Sequence, residues 1–145
     1  MAYIPEDAEW YLAEIILEIC VEDDPRNVVH INVVLIHATN PEEAYDKAMK
    51  RGKTEEQTYE NQQGKSVVSI FKGLRDLLVI HDKLEDGAEL SYKEQIGLTK
   101  EQVSSLITPK HQLGIFAPVE QIDKPDYAAG DIVAEVYERF PELKR

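Results

Sequence analysis

The chain has 145 residues, with 16 Lys plus Arg against 28 Asp plus Glu and a formal net charge of −12. That length suits one domain with room for a tail, and 43% apolar residues can build a packed core, which excludes a chain disordered throughout. A charge this negative repels phosphate backbones and excludes generic nucleic-acid binding.

In chain order, residues 10–22 alternate with a period of two. Tyr11, Ala13, Ile15, Leu17, Ile19 and Val21 share one apolar face, while Trp10, Leu12, Glu14, Ile16, Glu18, Cys20 and Glu22 share a mixed one. This predicts a strand with one buried face. Residues 28–38 are rich in β-branched side chains and predict a second strand. The loop from Asp23 to Asn27 joins the two as a hairpin. A turn centred on Pro25 sets Cys20 opposite His30 and Glu18 opposite Asn32. Glu14, Glu18, Cys20, His30 and Asn32 then share one sheet face with Trp10.

A helix is expected next. Asn40 is a natural N-cap, Pro41 suits the first helical position, and Glu42 and Glu43 favour the positive end of the dipole. Ala44, Tyr45, Ala48 and Met49 supply an apolar stripe, Lys50 and Arg51 sit at the negative end, and Gly52 ends the helix. Residues 53–65 are polar and contain the turn-like Asn61-Gln62-Gln63-Gly64. Residues 66–72 and 74–81 predict one bent strand with a bulge or bend at Gly73. Asp86-Gly87 marks a turn before a further strand at 88–96. Thr99 and Gln102 match a capping box for a short helix carrying Val103, Leu106 and Ile107, stopped by Pro109.

The fold class is α+β: a mostly antiparallel sheet with helices on one face, in the order β-β-α-β-β-α, plus a C-terminal extension. Residues 1–109 form the domain and 110–145 the extension. That extension holds an extended linker and an amphipathic helix whose Ile132, Val133, Val136, Tyr137 and Phe140 fall on one face.

Five segments carry a resemblance. Trp10-Tyr11-Leu12-Ala13 opens the first strand, and Pro41-Glu42-Glu43-Ala44-Tyr45-Asp46-Lys47-Ala48 forms the helix. Tyr59-Glu60-Asn61 with Gly64, Phe71-Lys72-Gly73-Leu74-Arg75-Asp76-Leu77, and Asp86-Gly87-Ala88-Glu89-Leu90 follow. In that order the chain resembles the bacterial domain of unknown function 4288, over about residues 10–95. The resemblance implies a small soluble protein and supplies no catalytic residue, cofactor or substrate.

Charge is unevenly placed. Residues 1–24 hold Glu6, Asp7, Glu9, Glu14, Glu18, Glu22, Asp23 and Asp24 and no Lys or Arg. Lys47, Lys50, Arg51 and Lys53 form a small basic cluster. Such segregation suits either a solvated surface or an acidic N-terminal edge that steers a basic partner.

Chemical signatures are sparse. His30 and His37 lie an odd number of residues apart on one strand and point to opposite faces, and there is no cysteine pair, so no structural metal site is expected. The segment Asp82–Gly87 lacks the bidentate acid of a calcium loop, since Lys93 stands at the twelfth position. No phosphate-binding glycine loop or nucleophile elbow occurs. A Cys20–His30 pair is the minimum for an activated thiolate, whereas a half-polar sheet face more commonly meets solvent or a second copy.

The reading that follows is a non-enzymatic interaction or regulatory module with no catalytic residue and no cofactor. It acts through a protein partner, basic in character, and through homo-oligomerisation. Its binding residues are Trp10, Glu14, Glu18, Cys20, His30 and Asn32; its partner interface is Glu22, Asp23, Asp24, Ile132, Val136, Tyr137 and Phe140. The alternative is a small-molecule binding protein or enzyme with a pocket lined by Trp10, Tyr11, Tyr45 or Tyr92. The single cysteine, the lack of a secretory leader and the shortness of the charge-free run from Asn27 to Pro41 place it in the cytoplasm, with no membrane and no nucleic-acid partner.

Overall fold

The alternating segment forms β1, Trp10–Val21, and the β-branched segment forms β2, Val28–His37. A computed structural model describes residues 4–117. Within them lie helix α1 (Pro41–Thr54), strands β3 (Gln57–Glu60) and β4 (Ser66–Val79), and helix α2 (Lys100–Ser105). The protein is α+β, with four antiparallel strands in the order β2-β1-β4-β3. Two compact units divide the described chain, residues 4–91 and 92–117.

β1 is the central organiser, paired to β2 on one side and β4 on the other. Its expected buried face is the buried one: Tyr11, Ala13, Ile15, Leu17, Ile19 and Val21 are all under a tenth exposed. Ala44 and Ala48 of α1 pack onto this face with Ile36, Ala38 and Phe71. A second cluster of Ile19, Val21 and Val67, joined by Val28 and Tyr59, fills the far end. Each fully buried aliphatic side chain here contributes about 1.5–3 kcal/mol of transfer free energy.

The helix starts as expected. Asn40 Oδ1 accepts from the Glu43 N–H at 2.8 Å, and the Glu43 carboxylate accepts in return from the Thr39 N–H at 3.2 Å. Its end differs. The helix runs past Gly52 to Thr54, and Gly52 is buried inside it. A Cβ at this position would fall 2.3 Å from the Phe71 ring, so glycine serves close packing of helix on sheet rather than termination. Tyr45 is not part of the buried stripe and stays 48% exposed.

The hairpin register also differs. Leu17 faces His30, Ile15 faces Asn32, and Glu18 faces Val29. The turn sits earlier than Pro25, because the Asp24 N–H donates to the Val21 carbonyl at 3.0 Å and Asp23 takes φ 66, a left-handed conformation that Asp tolerates. The displacement is an odd number of residues, so it carries His30 and Asn32 to the helix side, away from Glu14, Glu18 and Cys20.

Residues 66–79 form the single bent strand expected from Gly73. Its ladder with β1 slips at two places, between Glu14 and Ile15 and between Ile16 and Leu17, and Gly73 adopts φ 137 beside one of them. β3 was hidden in the polar stretch; Tyr59 is its half-buried residue, and Asn61 orders the following loop by accepting from the Gln63 and Lys65 N–H groups, both at 3.0 Å. The strand expected at 88–96 is absent: Asp86-Gly87 does turn, but the following residues form no ladder. In the second unit Thr99 and Gln102 make the expected capping box, and α2 ends at Ser105 with Val103 exposed. The expected extension helix lies outside the described residues.

Candidate functional site

The mixed face of β1 looks away from α1. Across it, from β2 through β1 to β4, run Leu35–Leu12–Leu78, Val33–Glu14–Asp76, Ile31–Ile16–Gly73 and Val29–Glu18–Ile70. The β2 column is apolar throughout and wet: Val29 is 52% exposed, Ile31 42%, Val33 56% and Leu35 46%. Single exposed apolar residues are ordinary, but four successive ones on one strand face form a patch.

The polar residues of this face are tied locally. Glu14 pairs with Arg75 at 3.2 Å, and Glu18 accepts from Asn27 Nδ2 at 2.7 Å. Trp10 and His37 close the end of the face, their rings tilted with centroids 4.7 Å apart. Cys20 is exposed at the other end. Of the six expected binding residues, Trp10, Glu14, Glu18 and Cys20 share this face, while His30 and Asn32 do not. The Cys20–His30 thiolate pair therefore does not form.

The acids of residues 1–24 do not line one edge. β1 is an interior strand of 12 residues, so Glu6, Asp7 and Glu9 lie at one end, and Glu22, Asp23 and Asp24 at the other. The second group is held in place. Asp23 meets Lys65 Nζ at 2.7 Å, Glu22 accepts from the Ser66 N–H at 3.3 Å, and Asp24 grips Arg26. Hydrogen bonding to Arg26 holds the Asp24 carboxyl below the usual carboxylate range, and Asp23 pushes the Lys65 ammonium up. The basic cluster is similarly engaged. Lys47 lies 3.7 Å from Glu43, Arg51 2.9 Å from Glu55, and Lys53 3.9 Å from Glu56. Ile132, Val136, Tyr137 and Phe140 lie outside the described residues. Among the described residues, no group of three or more His, Cys, Asp or Glu side chains converges as metal ligands would.

Among the described residues β2 is also an edge strand. The Ala38 N–H donates to the Glu9 carbonyl at 3.0 Å, and Ala38 continues the β2 register, so even-numbered residues aim their backbone groups at β1. Odd-numbered residues aim theirs outward. The carbonyl of His37 is covered by Lys47 Nζ at 2.7 Å, which fits that geometry. Val29, Ile31, Val33 and Leu35 thus present both their apolar side chains and their backbone N–H and C=O groups. Sequence periodicity missed these four, because alternation gives faces and not strand order. The signal that could have found them is the charge-free run from Asn27 to Pro41.

An open cleft of about 530 Å³ lies beside the start of β1, lined by Trp10, Asp7, Ile80, His81, Lys83 and Leu84 among others. Tyr11 is in the core and Tyr45 on the exposed side of α1, so neither joins Trp10 there. No helix among the described residues is long and apolar enough to cross a membrane.

In comparisons with curated proteins and with solved structures, nothing matches the chain. A family model does match, over residues 10–92, more than half of the chain. The chain belongs to that family, described as the domain of unknown function DUF4288.

Proposed function

We propose that this protein is a non-enzymatic interaction module that works through protein–protein contacts at the open face and edge of β2. The observation that carries this reading is the exposed stripe Val29, Ile31, Val33 and Leu35, set on a strand with unpaired outward backbone groups among the described residues. Apolar side chains beside free backbone donors and acceptors are what strand addition recognises. Glu6, Asp7 and Glu9, exposed at the head of β1, steer a basic partner toward the same unit. A reducing, cytoplasmic setting suits the lone exposed Cys20.

The test is affinity purification from the native cell with the wild-type chain and with the double variant Ile31→Lys/Val33→Lys. Both side chains already face solvent, so the variant keeps its fold while losing the apolar stripe. Specific partners recovered by the wild type should disappear with the variant. Identical recovery by both chains contradicts the reading.

A second reading rests on the cleft beside Trp10. It is large enough for a small molecule and combines apolar walls with Asp7, His81 and Lys83. A fragment screen read by Trp10 fluorescence tests it; saturable quenching supports a ligand site, and no response across the screen removes it.

A further inference from the structure

The two edges of the sheet are built differently. The outer edge of β4 is covered by β3 for four residue pairs, Gln57 to Glu60. Just beyond, the Glu56 carboxylate accepts from the Phe71 N–H at 3.0 Å. From there β4 carries Lys72, Arg75 and Asp76, two register slips and a glycine at φ 137. Charges, bulges and short strands are the devices that stop one sheet edge from pairing with another. β2 has none of them within its ladder, and among the described residues only the His37 carbonyl at its end is covered, by Lys47 Nζ. Its ten residues contain no Asp, Glu, Lys, Arg or Pro, and its ladder with β1 runs without a slip from Val28 to His37.

We infer that the outward edge of β2 pairs antiparallel with β2 of a second copy of this chain, joining two four-stranded sheets into one. The inference rests on the interaction-module reading and names its occupant. Three features select a second copy. First, the geometry is self-complementary. Every outward backbone group belongs to an odd-numbered residue, so a two-fold pairing centred on Asn32 sets Val29 opposite Leu35 of the second copy and Ile31 opposite Val33 of the second copy. The same register forms the hydrogen bonds and joins the two apolar columns.

Second, charge restricts where two chains of −12 can meet. Stacking open face on open face would bury the Glu14–Arg75 pair and Glu18, which costs desolvation. Edge pairing leaves these groups in water and brings together two uncharged strands. Third, the area suits a modest dimer. The stripe supplies a few hundred Å² per chain, and the edge adds backbone along about 30 Å. Edge pairing covers only the inner flank of the stripe, so the contact stays below about 600 Å² per partner, the range of weak and transient interfaces. The pair is therefore reversible on dilution.

The experiment is sedimentation velocity of the full chain from about 1 to 200 µM, a range suited to an interface of this size, for the wild type, Val33→Pro, Val33→Lys and Ile70→Lys. Val33→Pro deletes an outward N–H and no bond to β1, and proline is accommodated on an edge strand. Val33→Lys blocks the edge with charge and keeps the backbone. Ile70 is 43% exposed on β4, on the open face but off the β2 edge. The wild type should shift from monomer to twice the monomer mass as concentration rises. Both Val33 variants should weaken that association at least about tenfold, with unchanged circular dichroism, and Ile70→Lys should leave it intact.

Loss of the dimer in Ile70→Lys would reassign the contact to stacked faces and overturn edge pairing. A wild type that stays monomeric at 200 µM also overturns it, and the Val33 variants then separate the two readings. If they lose a protein partner that the wild type captures, the module stands and its occupant is that partner. If capture is unchanged, the module reading falls as well. Monomers whose Val33 N–H is protected from exchange at every concentration would assign the edge to another segment of the same chain.

Discussion

The two edges of one sheet obey opposite rules. Along β4 the chain spends Lys72, Arg75, Asp76, Glu56 and a positive-φ glycine on a border that a four-residue strand covers in part. Along β2 it leaves ten uncharged residues in an unbroken register at the border. Both edges belong to the same antiparallel sheet. A protein that defends one edge and leaves the other plain marks the plain one for contact.

That contrast can be strained first at the core. Ile15 is fully buried on interior strand β1, and Ile15→Ala should cost about 3 kcal/mol in urea unfolding. Val33→Ala, on the plain edge, should cost less than about 1 kcal/mol at micromolar concentration. Equal losses would mean that the β2 edge is part of the packed interior. The defended edge gives the next effect. Gly73 has open space around its Cα but sits at φ 137, so Gly73→Ala should destabilise by about 1–3 kcal/mol through backbone strain alone. An unchanged unfolding midpoint would show that the bulge adopts another geometry.

The smallest effect is acid-dependent. Asp24 titrates below its ordinary range because Arg26 binds the charged form. Its contribution is therefore complete above the unfolded carboxylate value of about 3.9 and is lost as pH falls below that value toward the folded one. Because the pair sits in a solvent-facing turn, with Asp24 only partly covered, Asp24→Asn should change acid stability slightly and leave pH 6–8 untouched. A loss at neutral pH would show that the turn depends on more than this pair.

Much of this unit was legible in the sequence. The period-two segment, the Asn40–Pro41 helix start and the bend at Gly73 each rest on local chemistry, and each appears where it was expected. The failures are non-local or involve competing local signals. The left-handed Asp23 turn overrode Pro25, and three residues of register sent His30 and Asn32 to the wrong side of the expected site. Gly52 looked like a helix stop because nothing local reveals the Phe71 ring above it. β3 was invisible because its four residues are polar apart from Tyr59. Above all, alternation along β2 cannot say whether a strand lies inside a sheet or at its border. The acidic N-terminal edge dissolved for the same reason, since β1 is interior and its flanking acids lie at opposite ends.

Residue-resolved amide hydrogen exchange at high and low protein concentration tests the role of the β2 edge most directly. His30, Asn32, Val34 and Ile36 donate toward β1 and should exchange slowly at both concentrations. Val29, Ile31, Val33 and Leu35 should exchange slowly when concentrated and rapidly when dilute. Outward amides that exchange at the same rate in both samples would contradict an edge reserved for a second copy.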